Sequence, residues 1–88
     1  MKIEAIVWDD DAILHIVRHN VESKEIEEAF FASKPLVFKT RFNRYIALGQ
    51  AGSGRYLTII FEYLGQYKAK IITARAMSEA ERRLYRRR

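Results

Sequence analysis

The first third of the chain changes from a strand-like to a helix-like pattern of apolar positions. Between residues 2 and 8 the apolar side chains follow a two-residue repeat, which predicts a strand. Asp9 is then a favourable N-cap for a helix over about 10–19, with an inner stripe of Ile13, Ile16 and Val17. Asn20 suits the left-handed conformation that ends such a helix. Ser23 predicts the start of a second helix over about 24–32, whose apolar stripe is Ile26, Ala29 and Phe30.

After Pro35 the pattern changes to strands. Four runs rich in β-branched and aromatic residues predict strands over about 36–39, 44–48, 55–63 and 67–74. Turns are predicted at 40–43, at 51–54 and at Gly65. Ser78 and Glu81 have the spacing of a capping box, so a last helix is predicted from residue 79. Its expected inner positions are Met77, Ala80 and Leu84, with Tyr85 at their flank and Arg82 and Arg86 on the opposite side.

The predicted order of elements is β-α-α-β-β-β-β-α. This order indicates one α+β domain over residues 1–88, with helices packed on a mainly antiparallel sheet. Cysteine is absent, which excludes disulfides and thiolate metal sites. No apolar run has the length of a membrane span, and Asp9, Asp10 and Asp11 interrupt any signal-peptide pattern. We therefore expect a cytoplasmic protein.

Charge is distributed unevenly along the chain. Residues 1–33 hold three basic and eight acidic side chains, a balance of −5, whereas residues 34–88 hold thirteen and three, a balance of +10. The C-terminal part also combines Arg75 with a helix that carries Arg82, Arg83, Tyr85 and a final run of three arginines, 86–88. Guanidinium groups bind phosphate oxygens in pairs, and an aromatic ring can stack on a base. This half of the chain therefore favours a polyanion, and RNA or DNA in particular.

Several motifs occur in an order that resembles one family. They are Trp8-Asp9, Arg18-His-Asn-Val21 leading into Glu27-Glu-Ala-Phe30, Arg44-Tyr-Ile-Ala-Leu-Gly49, Gly54-Arg55, Ile72-Thr-Ala-Arg75 and Glu81-Arg-Arg-Leu-Tyr85. The chain resembles the BrnT-type toxins of bacterial type II toxin–antitoxin systems over almost its whole length. The resemblance implies a RelE-like fold and a ribonuclease that cleaves messenger RNA and halts translation without a metal or cofactor. It also implies a small antitoxin partner, typically a ribbon-helix-helix protein that binds DNA, in a possible heterotetramer.

Arg75 and Arg83 are the first candidates for catalysis. Cleavage by attack of the RNA's own 2′-hydroxyl requires positioning, stabilisation of negative charge and movement of two protons. Arg75 ends a predicted strand, and strand parity places it on the face of Tyr67, Ala69 and Ile71. It would hold the scissile phosphate, or else form a surface ion pair with Glu62 or Glu79. Arg83 would contact phosphate, or else pair with Glu79 one helical turn away.

Tyr85 and His19 are the candidates for moving protons. Tyr85 could donate a proton or stack on a base, but it could equally pack its ring against the sheet. A histidine is the usual acid or base near neutral pH. His19, however, comes at the end of the first helix, where a cation also stabilises the helix carbonyls.

The remaining basic residues are candidates for RNA binding. They would extend a track of phosphate contacts, and they are Lys39, Arg41, Arg44, Arg55, Arg82 and Arg86. Two other classes of function fit the same residues. One is a nucleic-acid binder without catalysis, and the other is an inactive toxin relic whose basic groove binds only an antitoxin.

Overall fold

The elements follow the predicted order in the computed structural model, which describes residues 1–87. The strands are β1 (Ala5–Val7), β2 (Leu36–Arg41), β3 (Arg44–Gln50), β4 (Tyr56–Gly65) and β5 (Lys68–Ala76). The helices are α1 (Asp10–Arg18), α2 (Ser23–Phe31) and α3 (Glu79–Arg87). Arg88, the last residue of the arginine-rich end, lies outside the described residues. The predicted α+β class is confirmed.

The five strands form one sheet in the order β1-β5-β4-β3-β2. Strands β2 to β5 pair antiparallel with their neighbours, whereas β1 pairs parallel with the start of β5. Because β1 covers only Lys68–Lys70 of β5, the rest of that strand's edge is flanked by α1. Within residues 1–87 no helix is long and apolar enough to cross a membrane.

The two faces of the sheet are covered by different helices. On one face α1 and α2 bury the main core against β3, β4 and β5, with Phe61 at its centre. On the other face, which we call the α3 face, α3 contributes Tyr85 to a smaller cluster with Leu48 and Met77. Because α3 covers only one end of this second face, Phe38 remains 37% exposed, and Ile46 and Ile60 are only partly buried.

A bulge in β5 decides which residues reach the α3 face. Phe61 pairs with Ile71 but Ile60 pairs with Thr73, so Ile72 has no partner on β4. One extra residue reverses the alternation of the strand. Ala74 therefore joins Ile71 in the main core, and Arg75 projects from the opposite face. The prediction that Arg75 shares a face with Ala69 and Ile71 was wrong, because simple parity does not include the bulge.

The cap of α1 agrees with the sequence prediction, whereas the cap of α2 differs by one residue. Asp9 is the N-cap of α1, where its Oδ1 accepts a hydrogen bond from the Ala12 amide at 2.8 Å. Asn20 takes the predicted left-handed conformation, with φ at 58°. In α2 the N-cap is Glu22 rather than Ser23, and its amide donates to the Glu25 carboxylate at 3.0 Å. The predicted stripe Ile26, Ala29 and Phe30 is buried.

The predicted inner faces of α1 and α3 were partly wrong. In α1 the buried residues are Ala12 and Ile16, while Ile13 and Val17 are 45% and 65% exposed. The small side chain of Ala12 allows that turn of the helix to approach β5 closely. In α3, Ala80 and Leu84 are exposed, and the side that faces the sheet carries Glu81 and Tyr85. A polar residue occupies an inner position there because β5 supplies it with a partner.

Candidate functional site

The carboxylate of Glu81 is the centre of a hydrogen-bond network on the α3 face. Its Oε1 accepts from Arg75 Nη1 at 2.7 Å, from Thr58 Oγ1 at 2.8 Å and from the Ser78 amide at 2.8 Å. Its Oε2 accepts from Arg75 Nη2 at 2.9 Å. The Glu81 amide in turn donates to Ser78 Oγ at 3.2 Å, so the predicted capping box is confirmed. The first turn of α3 is thus joined to β4 and β5 by one side chain.

Arg75 is held in place by this network, but some of the hydrogen-bond donors of its guanidinium stay free. Its two terminal nitrogens form a paired ion bridge with Glu81, and Nη1 also donates to the Ala76 carbonyl at 3.2 Å. A guanidinium has five N–H donors. Two of them therefore have no partner among residues 1–87, and the side chain is 39% exposed. The partner that the sequence suggested, Glu62 or Glu79, is replaced by Glu81.

The same contacts change the acidity of the pair. Hydrogen bonds from Arg75, followed by those from the Ser78 amide and Thr58, lower the pKa of Glu81 from 4.5 to about 2. The hydrogen bond to Glu81 also raises the pKa of Arg75. Both groups are therefore charged at every pH at which the protein is expected to work. A carboxylate with so low a pKa is a weak proton acceptor, so the geometry suits Glu81 to holding Arg75 in place and not to taking up a proton.

The lowered pKa predicts a dependence of stability on acid. Because the folded-state pKa lies below the ordinary value, ionised Glu81 stabilises the fold fully above about pH 4.5, and this stabilisation is lost as the pH falls toward 2. Urea unfolding of wild type and Glu81→Gln across this range should show the two free energies of unfolding converge. Asp9, whose pKa is also lowered by its capping bond, is common to both proteins and cancels. A difference that is constant from pH 6 to pH 2.5 would contradict the prediction.

Aromatic residues support the arginines beside this network. The Arg82 guanidinium carbon lies 4.7 Å from the centre of the Tyr56 ring, a cation–π contact. The Tyr56 ring meets Tyr85 edge to face at 5.9 Å. Arg82 is therefore held over the sheet. The sequence had placed it on the opposite side of α3, and that prediction was wrong.

The structure separates the other candidates of α3. Tyr85 is 5% exposed, so its ring has no face open to a base, and the packing interpretation is the one that the geometry supports. Arg83 lies on the exposed side, 3.6 Å from Glu79, in the ion pair that its spacing allowed. Arg86 is exposed near the end of the helix.

His19 and Arg55 meet at the connection between α1 and α2. Arg55 Nη1 donates to the Asn20 carbonyl at 2.6 Å and to Glu25 Oε1 at 3.2 Å, and its Nη2 donates to the His19 carbonyl at 3.4 Å. The guanidinium of Arg55 therefore joins the α1–α2 connection to the sheet. The sequence analysis had proposed it as a phosphate contact. The exposed His19 ends α1, and no described contact joins its ring to Arg75 or Glu81.

Three further cations lie at the far end of the sheet. Lys39, Arg41 and Arg44 are exposed near the β2–β3 hairpin, and their side chains form no ion pair or hydrogen bond with the residues described. Arg44 alternates with Ile46 and Leu48 along β3, so it lies on the α3 face with Arg75. The predicted track of phosphate contacts therefore has Arg44 at one end of the α3 face and Arg75 at the other.

Sequence analysis missed three residues of the site. Glu81 was interpreted only as a cap, and Thr58 and Tyr56 were not singled out. Thr58 carried a signal, since it is a polar residue inside the apolar run Leu57-Thr-Ile-Ile-Phe61 and is fully buried. A buried hydroxyl requires a partner, which predicts a polar group above that strand.

Comparison with known proteins identifies the family. The family model described as "Ribonuclease toxin, BrnT, of type II toxin-antitoxin system" matches residues 8–81, well over half of the chain. The chain belongs to the BrnT toxin family. The matched span contains Thr58, Arg75 and Glu81, and it ends before the arginines of α3. The resemblance found in the sequence is thereby confirmed.

A solved BrnT structure supports this assignment. The chain is similar to the Brucella abortus ribonuclease toxin BrnT, determined as a crystal structure at 1.1 Å resolution, with 26% identity and a TM-score of 0.68. The similarity covers 85% of this chain and 97% of that one. No curated protein sequence matches the chain. BrnT toxins are ribonuclease components of type II toxin–antitoxin systems, so RNA and an antitoxin are the partners that the family implies.

Proposed function

We propose that this BrnT family member is an endoribonuclease that cleaves messenger RNA in the cytoplasm and thereby inhibits translation. The observation that carries the proposal is that Arg75 is held in a fixed position and still has free hydrogen-bond donors. Two contacts to Glu81 fix its guanidinium, while two N–H donors and 39% of its side chain remain open on a basic face. A preorganised cation with free donors suits a phosphate whose charge grows during reaction.

The reaction needs no covalent group from the protein. The 2′-oxygen of one nucleotide forms a bond to its own 3′-phosphorus as the bond from phosphorus to the 5′-oxygen of the next nucleotide breaks. The 2′-hydroxyl gives up one proton to solvent and the departing 5′-oxygen gains one from solvent, so no proton is released overall and the products are a 2′,3′-cyclic phosphate and a 5′-hydroxyl. In our proposal Arg75 donates to the non-bridging oxygens, on which negative charge develops.

Other residues bind the RNA on either side of that phosphate. Arg82, held over Tyr56, and the exposed Arg83 and Arg86 are placed to contact phosphates along α3. Arg44 and its neighbours supply cations at the opposite end of the face. Glu81 keeps Arg75 in position and takes no proton, because hydrogen bonds hold its pKa near 2.

The antitoxin would neutralise the toxin by covering the same face. We propose a small ribbon-helix-helix partner that lays an acidic or amphipathic segment across Arg75 and α3, in an assembly of two toxins and two antitoxins. Charge complementarity supports this arrangement, since the two acidic residues of α3, Glu79 and Glu81, are each paired with an arginine, while the helix carries further exposed arginines.

Cleavage can be tested inside and outside the cell. Induction of the wild-type protein in a bacterium should arrest growth and create new 5′ ends in messenger RNA, and co-expression of the antitoxin should relieve both. Purified protein should cut a synthetic RNA and leave a cyclic phosphate. The matched control is the same oligonucleotide with a single 2′-deoxy sugar at the cut site, which should resist cleavage there.

The outcome separates this proposal from its competitor. Binding of both oligonucleotides without cleavage, by soluble folded protein, would indicate a non-catalytic binder. The observation that favours this alternative is that no described contact joins the ring of His19 to Arg75 or Glu81. Tight binding of antitoxin without RNA binding would instead indicate an inactive relic.

A further inference from the structure

The tip of the β2–β3 hairpin carries an aromatic residue in an unfavourable position. Phe42 is 85% exposed, the most exposed of the large apolar side chains described. Its backbone lies in the left-handed region, with φ at 48°. Glycine and asparagine adopt that conformation readily, whereas a phenylalanine there is strained. Neither the turn nor the core of the protein therefore explains a phenyl ring at this position.

The surroundings of Phe42 are basic. Arg41 precedes it, Arg44 follows two residues later, and Lys39 lies two residues before Arg41 on the same strand. None of these three side chains has an ion pair or hydrogen bond with the rest of the described chain. The acidic residue nearby is Glu62, which lies opposite Arg44 on the neighbouring strand but forms no described ion pair with it. A protruding ring among free cations is the arrangement with which proteins bind single-stranded nucleic acid, by stacking and by phosphate contacts.

The hairpin and Arg75 belong to one continuous surface. Arg44 is directly opposite Glu62 on β4, and Arg75 is directly opposite Thr58 on the same strand. Glu62 and Thr58 are four positions apart along the extended strand, a distance of about 13 Å. Both arginines project from the α3 face. A strand of RNA a few nucleotides long can therefore reach from one to the other without leaving the sheet.

We propose that the β2–β3 hairpin is a base-binding subsite, in which Phe42 stacks on an unpaired base of the RNA whose cleaved phosphate lies at Arg75. Arg41 and Arg44 bind the phosphates beside that base. This inference rests on the proposed function and adds to it a requirement for single-stranded RNA on one side of the cut. Stacking tolerates every base, so the subsite supplies affinity and register with little sequence preference.

The test compares two hairpins that share a backbone conformation. Phe42→Asn removes the ring and places a residue that accepts positive φ. Tyr67→Asn is the matched control, because Tyr67 is a half-exposed aromatic residue at the tip of the β4–β5 hairpin with φ at 62°. The probe is a fluorescent RNA oligonucleotide with a 2′-deoxy sugar at the cut site, and its affinity is measured by anisotropy at fixed salt.

The expected result is a loss of affinity without a loss of stability. Phe42→Asn should weaken binding by about 5- to 150-fold, the range for one lost stacking contact. Its melting temperature should equal or exceed that of wild type, since asparagine relieves the strained backbone. Tyr67→Asn should bind as wild type does. With cleavable RNA, Phe42→Asn should raise KM and leave kcat nearly unchanged.

Other outcomes would overturn the subsite. Unchanged RNA affinity in Phe42→Asn, together with a loss in Arg41→Ala, would show that charge alone acts at the hairpin. Weaker antitoxin binding with unchanged RNA binding would make the hairpin a protein contact. Failure of the proposed function is distinguishable, because it appears as wild-type protein that binds the probe but cuts no RNA. In that case the effect of Phe42→Asn on affinity still decides the inference.

Discussion

Arg75→Ala is expected to lower the rate of RNA cleavage by about 100- to 1,000-fold, the usual effect of removing one preorganised donor from a developing oxyanion. Growth arrest should disappear with it. Arg75→Lys should not restore the rate, because an ammonium cannot form the paired bridge to Glu81 and still present two fixed donors to phosphate. Single-turnover cleavage of a synthetic RNA measures this directly.

The controls separate chemistry from folding. Removing Arg75 leaves the Glu81 carboxylate partly buried without its cation, so some loss of stability is expected. The double variant Arg75→Ala, Glu81→Gln removes that charge and should regain part of the stability but none of the activity. Arg18→Ala, on the exposed surface of α1, is the matched arginine control and should cleave as wild type does. Equal losses in Arg18→Ala and Arg75→Ala would show that only net charge matters.

Glu81→Ala is expected to give the largest combined effect on stability and activity. It removes the acceptor of Arg75, of the Ser78 amide and of the fully buried Thr58 hydroxyl. Leaving such donors unsatisfied should lower the free energy of unfolding by about 2–3 kcal/mol. Because Glu81 acts through Arg75, kcat should fall while the affinity for uncleavable RNA changes little. Urea unfolding and steady-state kinetics measure the two effects.

Glu79→Ala is the matched control on the same helix. Its carboxylate is 87% exposed and lies 3.6 Å from Arg83, an exposed pair one turn apart. Such pairs contribute little, so a change of no more than about 0.5 kcal/mol is expected. Glu81→Gln should fall between the two, since an amide oxygen still accepts from Thr58 but carries no charge for Arg75. If Glu79→Ala destabilised the protein as much as Glu81→Ala, the network would have no special role.

Local signals in the sequence were sufficient for the order of elements. Asp9 caps α1, Asn20 ends its turn in a left-handed conformation, and Ser78 with Glu81 starts α3. Each of these features depends on residues within four positions of one another, so the sequence displays them directly. The stripe of α2 was also predictable, because its charged residues leave only one apolar side.

Features that depend on another strand were not predictable. The face of α1 was ambiguous because apolar residues occupy five of its positions from Ala12 to Val17, and contact with β5 selects among them. Glu81 faces inward only because Arg75 and Thr58 lie beneath it. The side of the sheet from which Arg75 projects depends on the bulge at Ile72, which no local sequence pattern predicts.

That bulge has a consequence for how the family can vary in length. The start of β5 must keep Ala69 and Ile71 in the main core, while its end must present Arg75 to the opposite side. Ile72 reconciles the two requirements by adding one residue to the alternation. A single insertion or deletion between residues 71 and 75 would reverse the two faces of the strand beyond it. The guanidinium of Arg75 would then point toward α1 and α2 and not toward the α3 face. Relatives that keep this arginine functional should therefore gain or lose residues there only in pairs.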